Sequence, residues 1–197
     1  MQVDETRVSP TAGRRVGLGA AFLLAYLCVD YIAHHYAHAP FDAAPWNPRP
    51  ALVIALVAVG GPSFIPVALL AVFGARLLLR GDDPTPTLLL SFAVLAAVQC
   101  AAGLAVRRFT RWLSLEVTLR DVSILVAVAV VAACVVAVDR PLAMLASGRV
   151  ARGDLPTVML RILIGNVLGT LVLLPPLLQL AAGAWPRLLE GMSRRIV

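Results

Sequence analysis

Lysine is absent from this 197-residue chain, charge of either sign is scarce, and cysteine and aromatic residues are few. Charged residues make up 14% of the sequence against 60% hydrophobic ones, which excludes a soluble domain of this size for want of polar surface. All seventeen basic residues are arginine, and the formal net charge is +6. They gather at the ends of apolar runs, where arginine orients a chain and meets lipid head groups. No motif or folded basic face points to nucleic acid. The three cysteines, Cys28, Cys100 and Cys134, are odd in number and each lies inside an apolar run, which excludes a disulfide framework. G-x-S-x-G, a Walker loop, C-x-x-C and H-E-x-x-H are all missing. No catalytic activity and no cofactor are expected.

What is present is oil. Mean hydropathy is +0.87. The apolar runs are continuous, not alternating, and Ala, Leu and Val dominate them. A helical span needs roughly 20 apolar residues to cross the hydrocarbon, and its backbone must satisfy itself there. A barrel would alternate instead. The expected fold is therefore all-α: a polytopic transmembrane helical bundle of about six spans. These fall near residues 16–36, 50–60, 63–79, 87–106, 122–138 and 157–182. The second is short and ends at Gly60-Gly61-Pro62, so 50–79 is either two spans or a re-entrant pair. Segment 109–119 reads as an interfacial helix with Trp112 at head-group level.

Three parts follow: a polar cytoplasmic tail at 1–15, a transmembrane domain at 16–182 and a short basic cytoplasmic tail at 183–197. With six spans and both termini inside, ten arginines lie on the cytoplasmic side. Six lie outside: Arg49, Arg76, Arg80, Arg140, Arg149 and Arg152. That bias agrees with the positive-inside rule. Ala37-His38-Ala39 has the look of a signal-peptide cleavage site, but Asp30, Tyr31, His34 and His35 separate it from the apolar run, so no cleavage is expected.

A few polar residues break the pattern. Asp30 lies within the first span, and ionisable groups there usually face the bundle interior. His34 and His38 are four apart, with His35 between them. That spacing suits a metal or haem, with Asp30 orienting His34, but a polar helix end meeting water is the simpler reading. Asp139 is expected to reach water. Arg161 either lines a polar cleft with Asn166, five residues on, or snorkels outward. Gln99 is an expected interhelical donor. Gly165 and Gly169 form a small-xxx-small face, expected to serve packing within the chain before any homodimer. Pro175-Pro176 should kink the last span.

Three stretches together resemble a known family. They are Trp46 to Gly61 running on into FIPVALLAVFGARLL, Leu119-Arg120-Asp121-Val122, and IGNVLGTLVLLPPLLQL at 164–180. Their order and spacing resemble the MASE domain, type one, a bacterial membrane-associated sensor domain, over roughly residues 16–180. The resemblance implies a module that senses a stimulus in or near the membrane. Such a module passes its signal to a histidine kinase or a cyclic-dinucleotide enzyme. It maps the motif positions onto Trp46, Pro48, Gly165, Asn166, Leu168, Gly169 and Pro175. Asn166 stands where the family tends to have Asp, and Asn47, Arg49 and Pro50 alter its Trp-Pro-Pro lead-in. Fifteen residues follow Ala182, so the output domain is expected in a partner or outside this chain. The leading expectation is a sensory input module. The alternative is a substrate-binding membrane subunit of a small-molecule transporter.

Overall fold

The computed structural model describes residues 12–35, 46–79, 85–112 and 117–181. Among them there are helices and turns and no strand. Six α-helices follow one another: α1 (Ala12–His35), α2 (Arg49–Gly60), α3 (Ile65–Gly74), α4 (Pro86–Phe109), α5 (Leu119–Ala146) and α6 (Leu155–Ala181). Each expected span coincides with one of them. Four of the six, α1, α4, α5 and α6, are long and apolar enough to cross a membrane. The other two are shorter: α2 has 12 residues, and α3 has 10 before a π-helical turn, Ala75–Leu79.

The outward faces of the bundle are apolar, unlike those of a water-soluble one. Leu160, Ile164, Leu168 and Val172 recur every four residues along the exposed face of α6. Val122, Val126, Val130, Val131, Val135 and Val138 are exposed on α5. Aliphatic side chains on the outside suit a hydrocarbon solvent, so several helices are compatible with a multi-pass membrane protein.

Helix α2 is the enclosed element. Ala51, Val53, Ile54, Val57 and Ala58 have no exposed surface. It packs along α4 and α6, which with α5 close a ring of four helices, while α1 and α3 lie against one side. One apolar cluster joins α1, α2, α3 and α4 through Phe22, Val53, Val72 and Ala96. A second joins α2, α4, α5 and α6 through Ile54, Val106, Leu125 and Leu174. Small residues permit the close approach. A Cβ on Gly103 of α4 would meet the Val57 side chain at 2.8 Å and the Ile54 carbonyl at 2.9 Å.

Where α2 begins explains why it is short. The Asn47 amide donates to the Gly165 carbonyl at 3.0 Å. Gly165 is the eleventh of the 27 residues of α6, roughly 15 Å from its start. The chain therefore enters α2 beside the middle of α6. Pro48 and Pro50 suit a first turn, where the missing N–H groups cost nothing. At about 1.5 Å per residue, α2 then runs roughly 18 Å to Gly61, whose φ of 79° turns the chain.

At the opposite end from Asn47, the Arg107 guanidinium donates to the Ala58 and Val59 carbonyls, both at 3.0 Å. Residues 110–112, 117 and 118 of the expected interfacial helix lie outside any helix, and 113–116 lie outside the described residues. Trp112 is buried rather than at a surface, and its indole N–H donates to the Asp121 carbonyl at 3.3 Å. Asp121 also forms a capping box with Thr118 and accepts from the Arg111 amide at 3.0 Å, which locks the linker onto the start of α5. Through Pro175 and Pro176, α6 remains one helix.

A buried polar cavity among the helices

Each long helix around the α2 start presents a stripe of residues spaced by four, the spacing that stacks side chains on one helical face, with at least one polar member. Helix α1 supplies Tyr26 and Asp30. Helix α4 supplies Ser91, Leu95 and Gln99. Helix α5 supplies Val136, Arg140 and Met144, with Asp139 beside them, and α6 supplies Ile162 and Asn166. With Asn47, Arg49 and Arg76, these residues, Asp30 excepted, line a cavity of about 50 Å³. Asp30 closes it from behind, paired with Arg49.

Asn47 is the hub. Its Nδ2 donates to Asn166 Oδ1 at 2.6 Å, and its Oδ1 accepts from Arg49 Nε at 2.7 Å. Arg49 Nη1 reaches the Asp30 carboxylate, with Asp30 only 1% exposed. On the far wall, the Ser91 hydroxyl donates to Asp139 Oδ2 at 2.6 Å. Arg76 and Arg140 both hold their guanidinium groups over the Phe92 ring, at 5.6 and 5.2 Å from its centroid. Phe73 meets the same ring edge-on at 6.1 Å. Burial of charge on this scale demands pairing or a ligand.

The sequence-predicted residues divide clearly. Asp30 faces inward as expected, and its partner is Arg49, not Arg161. Pro48 is buried at the start of α2, whereas Trp46 is half-exposed. Asn166 lines the cavity. Gly165 and Gly169 are used within the chain: the first through its carbonyl, the second because a Cβ there would strike the backbone of Asn47. Of the two alternatives for Arg161, its exposure agrees with the outward one, and it does not share the cavity with Asn166. Five residues turn a helix by about 500°, leaving the two side chains about 140° apart. Pro175 is half-buried away from the cavity. The side chain of His34 and the whole of His38 lie outside the described residues. Among those described, no group of His, Cys, Asp and Glu is placed to hold a metal.

Sequence reasoning missed Arg49, Arg76 and Arg140, which were counted as outer-face arginines, and Asp139, which was expected in water. All line the cavity. The signal was Ser91 and Gln99, polar positions two four-residue steps apart on one face of an otherwise apolar α4.

The chain matches no protein-family model, and it is similar to no curated protein and to no solved structure. The cavity's chemistry therefore has to be read from its own residues.

Proposed function

We propose that this chain is an integral membrane sensory input module whose buried polar cavity receives the signal. The observation that carries this reading is the cavity itself. Three arginines and two aspartates meet where α2 begins, within helices otherwise built for lipid. Intramembrane ionisable residues are costly and mark functional sites. The resemblance to the MASE domain, type one, through Trp46–Gly61 and Gly165–Pro175, points the same way.

In this reading the six helices cross a bacterial inner membrane with alternating direction, α2 and α3 forming the short pair, and both termini are cytoplasmic. The alternation fits the cavity, which collects the late residues of α1 and α5 and the early residues of α2, α4 and α6. Helix α2 is the transmitting element. One end carries Asn47 and Arg49 at the cavity, and the other is held by Arg107 through two carbonyls. A signal that favours one seating of Arg49 moves the Gly60–Gly61 turn and the Arg107 contact. It must bind the two seatings with different affinity to do so. The receiver is a cytoplasmic histidine kinase or cyclic-dinucleotide enzyme.

The test is to fuse the C-terminus to a kinase reporter and substitute Asn166 or Arg107. Altered output with normal membrane insertion supports the reading, and unchanged output for every cavity substitution overturns it. A transporter's substrate-binding subunit is the second reading. It is favoured by one feature, a half-length helix that starts inside the bundle. An energising ATPase that co-purifies with the chain decides for it.

A further inference from the structure

We infer that the cavity binds a small amide-type molecule, of the size of formamide, acetamide or urea, that accepts a hydrogen bond from Asn166 and donates one to Gln99. The inference deepens, and rests on, the reading of this cavity as the signal site. Asn166 of α6 and Gln99 of α4 both line it, and each is only 2% exposed. Among the described residues, nothing partners Asn166 Nδ2 or Gln99 Oε1. Buried polar atoms are nearly always satisfied, so a donor and an acceptor left open at one cavity call for an occupant that offers the complement. Leaving either unmet costs its full desolvation.

The hydrogen-bond network fixes the open atom of Asn166 as a donor. A guanidinium can only donate, so Arg49 Nε at 2.7 Å identifies the Asn47 side-chain oxygen as the acceptor on that side. The Asn47 amide nitrogen therefore faces Asn166 and donates to its oxygen at 2.6 Å. What stays open on Asn166 is its NH₂ group. The ligand must meet it with an acceptor, and must meet Gln99 Oε1 with a donor.

Size and wall chemistry narrow the class. The cavity of about 50 Å³ holds roughly three or four water-sized groups. That matches three or four heavy atoms and leaves no room for a sugar phosphate or a vitamin. In so small a molecule the acceptor and the donor must sit on one carbon or on neighbouring atoms. Asn47, Arg49, Ser91 and Asp139 also form the wall, so the occupant must be polar on most of its atoms. A carbonyl carbon bearing an NH₂ group meets both conditions. An alcohol of the same size sets its alkyl part against those polar groups.

The experiment uses the full chain, purified in detergent. The thermal unfolding midpoint is followed while formamide, acetamide, urea, acetone or pivalamide is added. For a ligand of about four heavy atoms, half-saturation falls no lower than about 40 μM. The three small amides should raise the midpoint saturably. Acetone has the shape and carbonyl of acetamide but no N–H, so it should need about tenfold more, because Gln99 Oε1 stays unmet. Pivalamide, too bulky for the cavity, should have no saturable effect. Gln99→Met should abolish the preference for acetamide over acetone, whereas Asn166→Leu should weaken both by a similar factor. Equilibrium dialysis of ¹⁴C-urea against the unaltered chain supplies a readout that needs no variant, and it should saturate at one urea per chain. Equal half-saturating concentrations of acetamide and acetone, or no saturable urea binding, which leaves water as the occupant, overturn the ligand class. If the reporter output still changes with Asn166→Leu, the signal-site reading survives that failure. If the amides bind but neither they nor any cavity variant moves the output, the ligand class stands and the signalling role falls.

Discussion

Replacing Asp30 by alanine strands a guanidinium inside the bundle. Arg49 is only 8% exposed, and the Asp30 carboxylate is its charged partner. Removing one member of a buried pair costs about 3–5 kcal/mol, because the remaining charge is left uncompensated. Arg49 retains its 2.7 Å bond to Asn47 Oδ1, which places the expectation near the lower end, about 3 kcal/mol. The assay is reversible unfolding in mixed micelles with increasing sodium dodecyl sulfate, followed by circular dichroism. A second variant isolates the electrostatic cause. Asp30→Leu with Arg49→Met removes both charges and keeps the volume, and such replacements are often neutral or stabilising. The double variant should therefore be more stable than Asp30→Ala by about 2 kcal/mol, a conservative share of the cost of the lone charge. Were Asp30→Ala to lie within about 1 kcal/mol of the unaltered chain, or the double variant to be no better than the single, buried charge pairing would not be what holds α1 to α2.

Four further outcomes follow from the packing. Gly169→Ala should destabilise by about 1–3 kcal/mol in the same unfolding assay, because its Cβ meets the Asn47 backbone, which cannot rotate away. Gly153→Ala, with nothing within 4 Å of its Cβ, should be close to neutral and serves as the control. Arg107→Met should cost about 1–3 kcal/mol by leaving the Ala58 and Val59 carbonyls unsatisfied, and it should change reporter output more than an equally destabilising Gly103→Ala. Thr118→Val breaks the capping box with Asp121 and should cost about 1 kcal/mol, with faster hydrogen exchange in the first turn of α5.

The helices were legible because bilayer length and apolar continuity leave few options, and each predicted span became a helix. The length of α2 was legible too, through Pro50 before it and Gly60-Gly61-Pro62 after it. What composition could not convey was depth. Arg49 reads as a loop arginine when counted along the chain, yet the Asn47–Gly165 hydrogen bond carries it to the middle of α6. Arg76 and Arg140 were misplaced for the same reason: a residue near the end of an apolar run can point outward or inward, and the choice depends on a partner far away in sequence, here the Phe92 ring. Arg161 shows the opposite case. Its position within a span left an inward and an outward role open, while helical phase alone turns it about 140° from the Asn166 side chain. Trp112 was misjudged because an aromatic beside arginines looks interfacial, and its bond to the Asp121 carbonyl depends on a return of the chain that no local pattern announces.

The enclosure of α2 has a consequence for biogenesis. A 12-residue helix that opens with an arginine is a poor substrate for lateral release from a translocon. Both of its principal neighbours, α4 and α6, are synthesised after it. Its stable seat does not exist until α6 has been synthesised. The nascent 46–79 hairpin must wait at the interface or in a chaperone's care and slide home last. Truncation before α6 would therefore leave the earlier long helices inserted and this one accessible to protease.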